Sequence, residues 1–153
     1  MEMKVFLSQN LLFEAETIHV PGNIDGEEVI AIMESILTSI KKLLGITEEY
    51  EHFDPDIVMH INSVFSVLTQ LGVGPAEGFR IEDDGTEWSE FLQDDFRLEF
   101  VKTYIYLKVR LAFDPPLSSA VIESINRQIS ELEWRINVSV DPKPAEKGEI
   151  QNG

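Results

Sequence analysis

The sequence contains no cysteine. Disulfide scaffolds, thiolate metal sites, iron–sulfur clusters and cysteine nucleophiles are therefore excluded. Histidine is scarce. His19, His52 and His60 are the whole set, and none is spaced i,i+3 or i,i+4 from another, so no helix carries a paired histidine metal site. No apolar run approaches the ~18 residues that a membrane span needs, and the first residues, Met1 to Leu7, lack the apolar stretch of a signal peptide. No serine sits in a G-x-S-x-G elbow. Gly72-Val73-Gly74 follows a helical pattern rather than a strand, with no lysine placed for a phosphate. Glu82-Asp83-Asp84-Gly85 lacks the alternating ligand spacing of a calcium loop. These absences argue against an enzyme, and no catalytic residue, metal ligand or cofactor is assigned.

Basic residues are also few. Twelve Lys and Arg stand against 28 Asp and Glu, a formal charge of −16 on 153 residues. Such a chain repels nucleic acid and anionic membranes at long range and lacks the cationic footprint of a DNA or RNA binder. The acid is concentrated: between Ile46 and Phe100 there are 14 Asp and Glu but only Arg80 and Arg97, a balance of −12. A surface of this kind serves solubility, lets DNA slide past, or imitates DNA.

What is present reads as mainly α, with four principal helices in a bundle, a short N-terminal β-hairpin and a flexible C-terminal tail. Residues 1–22 hold β-branched and aromatic residues around a Gln9-Asn10 turn and read as a ribbon or arm. Residues 25–140 form the helical domain. Its first helix is expected from Asp25, with Glu28 completing a capping box, through the stripe Val29, Ile32, Met33, Ile36, Leu37, Ile40, Leu43 and Leu44 to Gly45. The second is expected to start with Asp54 as N-cap and Pro55 at the first helical position. Its stripe is Ile57, Val58, Ile61, Val64, Phe65, Leu68 and Leu71. A loop follows, with a short strand expected at Phe79-Arg80-Ile81 and a turn at Asp83-Asp84-Gly85. A short helix carrying Trp88, Phe91 and Leu92 is capped at or beside Thr86.

The third long helix is expected from Asp94-Asp95 and is stopped by Asp114-Pro115-Pro116. The last starts at Ser118 or Ser119 with the stripe Val121, Ile122, Ile125, Ile129, Leu132 and Ile136. Residues 141–153 show no apolar periodicity and read as the tail. The aromatics Trp88, Phe91 and Trp134 have two readings, core packing or anchors at a subunit interface. Trp134 is read beside the Ile136 side of its helix. The arm and the tail read as segments that gain order against a partner.

The order of elements resembles the head–tail connector (adaptor) family of long-tailed bacteriophages. The likeness runs from about Val29 to Val138. It covers the helix end Ile40-Lys41-Lys42-Leu43-Leu44-Gly45-Ile46, an acidic linker, and the opening Asp56-Ile57-Val58-Met59-His60-Ile61-Asn62-Ser63-Val64. After the loop with Gln70-Leu71-Gly72-Val73-Gly74-Pro75 it continues in Val101-Lys102-Thr103-Tyr104-Ile105-Tyr106-Leu107-Lys108-Val109-Arg110-Leu111, which ends at Phe113-Asp114-Pro115-Pro116. The ribbon ahead of the first helix and the long, continuous last helix depart from the family pattern.

The resemblance implies a structural protein of the virion neck, made in the host bacterial cytoplasm, that forms a ring beneath the portal, usually twelvefold. Its implied partners are further copies of itself, the portal protein, and a stopper or tail-terminator protein. DNA would pass through without specific binding, and no membrane is involved. On that reading Glu82, Asp83, Asp84 and Glu87 belong to an acidic channel wall, and Trp88, Phe91, Trp134, Asp141, Pro142 and Lys143 to interfaces. The competing reading of the charge is an acidic DNA-mimic inhibitor of a DNA-binding enzyme, which would be a monomer or dimer with steeply salt-dependent binding.

Overall fold

A computed structural model describes residues 33–93 and 100–140, all within one compact unit, Ile32–Gly153. The expected hairpin, the opening of the first helix with its Asp25 and Glu28 capping box, the tail and the start of the helix before Phe100 lie outside the described residues. Those residues are mainly helical, with five α-helices and no strand among them. In chain order they are α1 (Ile36–Leu44), α2 (Asp54–Gln70), α3 (Trp88–Leu92), α4 (Phe100–Phe113) and α5 (Ser119–Val140), with a 3-10 turn at Glu51–Phe53.

The first helix differs from its expected form. The periodicity runs unbroken from Val29 to Leu44, yet the chain at residues 33–35 is not helical and α1 begins at Ile36. Ser35 is its N-cap, accepting through Oγ from the Thr38 N–H at 3.2 Å. The cause is non-local. The Ile36 N–H donates to the Thr86 carbonyl (2.9 Å) and the Trp88 N–H to the Glu34 carbonyl (3.2 Å), an isolated antiparallel bridge between Ser35 and Glu87. Glu34 and Ile36 thereby give main-chain groups to another segment. α1 ends as expected at Gly45, in the left-handed region, with the Gly45 and Ile46 N–H groups on the carbonyls of Lys42 and Lys41.

Asp54 is not the cap of α2. The 3-10 turn runs directly into the helix, Asp54 has right-handed helical dihedrals, and its carboxylate turns to α1, 2.7 Å from the Lys41 ammonium. Lys41 is almost wholly buried and also donates to the Glu48 carbonyl at 2.9 Å. One buried cation thus ties the acidic linker and the start of α2 to α1. Lys42, in contrast, pairs on the surface with Glu34 at 2.9 Å. That bond, before the charges of Glu34 and Glu48, holds its pKa above the ordinary value.

The expected stripe of α2 is the one that packs: Ile57, Ile61, Val64, Phe65 and Leu68 are buried. α2 closes in a Schellman turn, with the Gly72 N–H on the Thr69 carbonyl and the Val73 N–H on the Leu68 carbonyl. Gly74 has φ 80°, and a Cβ there would collide with the Phe91 ring. Phe65, Phe79 and Phe91 form a ring cluster with centroids 4.6–5.1 Å apart. No strand forms at Phe79-Arg80-Ile81, because the Asn62 side chain takes both main-chain groups of Ile81. Its Nδ2 donates to the Ile81 carbonyl (2.9 Å), and the Ile81 N–H donates to its Oδ1 (2.8 Å).

α4 is the centre. Val101, Tyr104, Ile105, Leu107 and Val109 are buried, a set that spreads over more than half its circumference. α4 packs against α2 and against α5, while α1 packs against both α2 and α4. The Tyr104 hydroxyl donates to Glu133 Oε1 at 2.8 Å and fixes α5 on α4. Lys108 lies 3.8 Å from the same oxygen.

Candidate functional site

The informative surfaces among the described residues are those that leave large apolar side chains exposed. α5 has 22 residues, but only Ile125, Ile129 and Ile136 are buried. These three fall within about 40° of one another at 100° per residue. Trp134 lies about 160° from Ile136 by the same spacing, so it faces away from the core rather than sharing the Ile136 side. It is 65% exposed, and Val138, one turn on, is 55% exposed. Val121, expected in the packed stripe, is 46% exposed. A contiguous exposed apolar patch marks an interaction surface, whereas single exposed apolar residues are common; Trp134 and Val138 are neighbours one turn apart, and Val121 stands alone on the other side of the helix.

α1 offers no comparable face. Ile36 to Lys41 are all buried, and Leu43, expected in the packed stripe, instead points to solvent as the one exposed large apolar residue of α1.

The other two aromatic candidates sit inside. Trp88 and Phe91 are buried in the core of this chain. The Trp88 Nε1–H donates to Ser39 Oγ at 2.8 Å, Ser39 in turn donates to the Ile36 carbonyl at 3.0 Å, and the Lys102 ammonium lies 5.1 Å from the Trp88 ring. Asp141, Pro142 and Lys143 lie outside the described residues.

α2 presents the second outward face. Met59 lies nearly opposite Ile61 and Val64 on the helix and is 55% exposed. It lines an open groove of about 720 Å³, with Pro55, Val58 and Ser63 from α2 and Phe79 and Arg80 from the loop. This groove was not legible in the sequence, because its far wall is set by the Asn62–Ile81 clamp.

The acidic loop leaves from the same clamp. Ile81 is buried, and Glu82, Asp83 and Asp84 follow it into solvent. Asp83 Oδ1 accepts from the Gly85 N–H at 2.9 Å, which closes the expected turn. Glu87 differs from these three. It is the N-cap of α3, in a reciprocal capping box with Glu90, whose Oε1 accepts from the Glu87 N–H at 3.0 Å. Three of the four channel candidates are thus exposed surface carboxylates, Asp83 also holding its own turn, and Glu87 serves the helix start. No group of three or more His, Asp or Glu among the described residues could hold a metal ion, and no described helix is long and apolar enough to cross a membrane.

The charge separates along the chain. Against the −12 of residues 46–100, the stretch 101–140 has five basic and four acidic residues, a balance of +1. One half of the helical unit is strongly acidic and the other almost neutral.

No curated protein and no solved structure matches the chain. A family model described as phage connector protein matches residues 36–143. The match opens on the first residue of α1 and extends just past the last of α5, so it takes in every described helix. By a match of that extent, the chain belongs to the phage connector protein family.

Proposed function

We propose that the protein is a structural joint between phage head and tail, a ring of identical copies beneath the portal that extends the DNA channel. The observation that carries this reading is the pair of dissimilar outward faces, on α2 and on α5, in a chain of the connector family. A closed head-to-tail ring needs two different surfaces on each subunit. The four longest helices then form the bundle-like body of each subunit. Residues 1–22 and 141–153, including Asp141, Pro142 and Lys143, are arms to the portal and to the stopper or tail-terminator protein.

The acidic loop lines the bore on this reading. Exposed carboxylates act within about 8–10 Å at physiological ionic strength. A wall bearing Glu82, Asp83 and Asp84 from every copy therefore repels phosphate at the distance where sticking would begin. The function is mechanical, and DNA passes without specific binding. The test is a native mass and a negative-stain image of the protein with its portal. A ring on the portal is the expected result, and a protein that stays monomeric and unbound would refute the reading. A chain lacking residues 141–153 is expected to fold normally but dock more weakly; unchanged docking would reject the role of that arm.

A further inference from the structure

Two main-chain groups beside Ser35 have two possible partners each. The apolar spacing from Val29 to Leu44 fits one unbroken helix, in which the Ile36 N–H would bond four residues back and the Glu34 carbonyl four residues on. In the structure another segment takes both. The Ile36 N–H donates to the Thr86 carbonyl at 2.9 Å, and the Glu34 carbonyl accepts from the Trp88 N–H at 3.2 Å. The Thr38 N–H, which the Glu34 carbonyl would otherwise take, goes to Ser35 Oγ. A local pattern overruled at one point is where a second arrangement lies close in energy.

The surface ion pair belongs to the interrupted form alone. Glu34 and Lys42 meet at 2.9 Å across eight residues. A continuous helix sets such residues about 12 Å apart along its axis, beyond the i,i+4 spacing at which charges pair. Exchanging one form for the other strands few groups. The Trp88 N–H opens α3, where helix N–H groups have no internal partner and water serves. The buried Trp88 ring keeps its own bond, Nε1–H to Ser39 Oγ at 2.8 Å, so α3 stays on α1 while the main-chain bonds let go.

Resting on the ring reading above, we propose that the Ser35–Glu87 bridge is an assembly latch, closed in the free subunit and opened when copies join. On opening, α1 grows towards the N-terminus through Ser35 and Glu34, and the Thr86–Glu87 end of the acidic loop is released. By sequence, the longer helix adds Met33, Ile32 and Val29 to the stripe of Ile36 and Ile40. The next copy covers that added stripe, which gives assembly its preference for the open form.

Amide exchange of the dilute full-length monomer, read residue by residue by NMR, tests the latch without assembly. In the open form the Trp88 N–H meets water, while the Ile36 N–H is bonded inside the longer helix. The Trp88 amide is therefore expected to be protected about 100-fold less than that of Tyr104, in the core of α4, and less than that of Ile36. Equal protection at Trp88 and Ile36 means simple fraying, and protection of Trp88 equal to that of Tyr104 means a bridge that never opens. Either result overturns the proposal.

The chain has no cysteine, so a disulfide can hold the latch shut. Ser35 and Glu87 oppose each other across the bridge without exchanging main-chain bonds between themselves. That geometry puts Cα atoms about 4.5 Å apart, within the ~4.4–6.8 Å range of disulfides. The variant Ser35→Cys, Glu87→Cys is expected to associate about 10-fold or more weakly when oxidised than when reduced. The reduced form of the same chain controls for the two lost side chains, and equal association of both forms overturns the proposal. An unsubstituted protein that never associates refutes the ring reading, and the exchange at Trp88 and Ile36 still decides whether the latch exists.

Discussion

Replacing the two tryptophans one at a time separates the core of this chain from its contact surface. Trp88 is buried, donates from Nε1 to Ser39 at 2.8 Å, and has Lys102 over its ring at 5.1 Å. Truncating a buried tryptophan to alanine costs about 3–5 kcal/mol, and the buried hydrogen bond adds about 1 kcal/mol. Trp88→Ala is therefore expected to lose about 4–6 kcal/mol, a large share of the 5–15 kcal/mol typical of a whole domain. Trp88→Phe keeps a ring and gives up the Nε1–H, so about 1–2 kcal/mol is expected.

Trp134 is 65% exposed, and Trp134→Ala should change the folding stability of the monomer by no more than about 0.5 kcal/mol. Urea unfolding of dilute protein, followed by circular dichroism, measures each. With m near 2 kcal/mol/M, the Trp88→Ala midpoint falls by roughly 2–3 M and the Trp134→Ala midpoint barely moves. Equal losses from the two alanine variants would refute this division of the aromatics.

Three further perturbations test the packing. Gly74→Ala forces φ 80° on a residue with a Cβ and drives that Cβ into Phe91, so a loss of about 2–4 kcal/mol is expected by urea unfolding. Lys41→Met strips the partner from the Asp54 carboxylate and should cost about 3 kcal/mol, whereas the double variant Lys41→Met, Asp54→Asn should cost less than Lys41→Met alone. Burial first, then the bond to Glu133 and its charge, raises the pKa of the Tyr104 phenol above its ordinary value. Above about pH 10 the unfolded chain releases this proton and the folded chain keeps it. The contribution is thus whole below that pH and is lost as pH rises through the folded value. Urea titrations at rising alkaline pH should show a shallower decline for Tyr104→Phe, which retains Lys108, than for the unsubstituted protein; equal declines would contradict the assignment.

Much of the helical order was legible because its signals are local. Gly45, the glycines after Leu71 and the Asp114-Pro115-Pro116 stop act within a few residues of themselves, and the apolar spacing of α2 identifies its buried face. What was missed depends on partners far along the chain. The periodicity from Val29 to Leu44 could not reveal that Thr86 and Trp88 bond to Ile36 and Glu34 and break the pattern at Ser35. Asp54 has the form of a cap and serves as the partner of Lys41. The aromatics show the same limit. Trp88 and Trp134 are equal as letters, and only the packed helices decide that one is core and the other faces outward. The acidic loop was found from charge alone, but the groove beside it needed the Asn62–Ile81 clamp.

The account stands most directly on a reconstruction of the assembled neck. It predicts copies of this chain in a closed ring under the portal, with residues 82–84 lining the bore. A neck in which this chain forms no ring, or in which those carboxylates point to the outer rim, would contradict it.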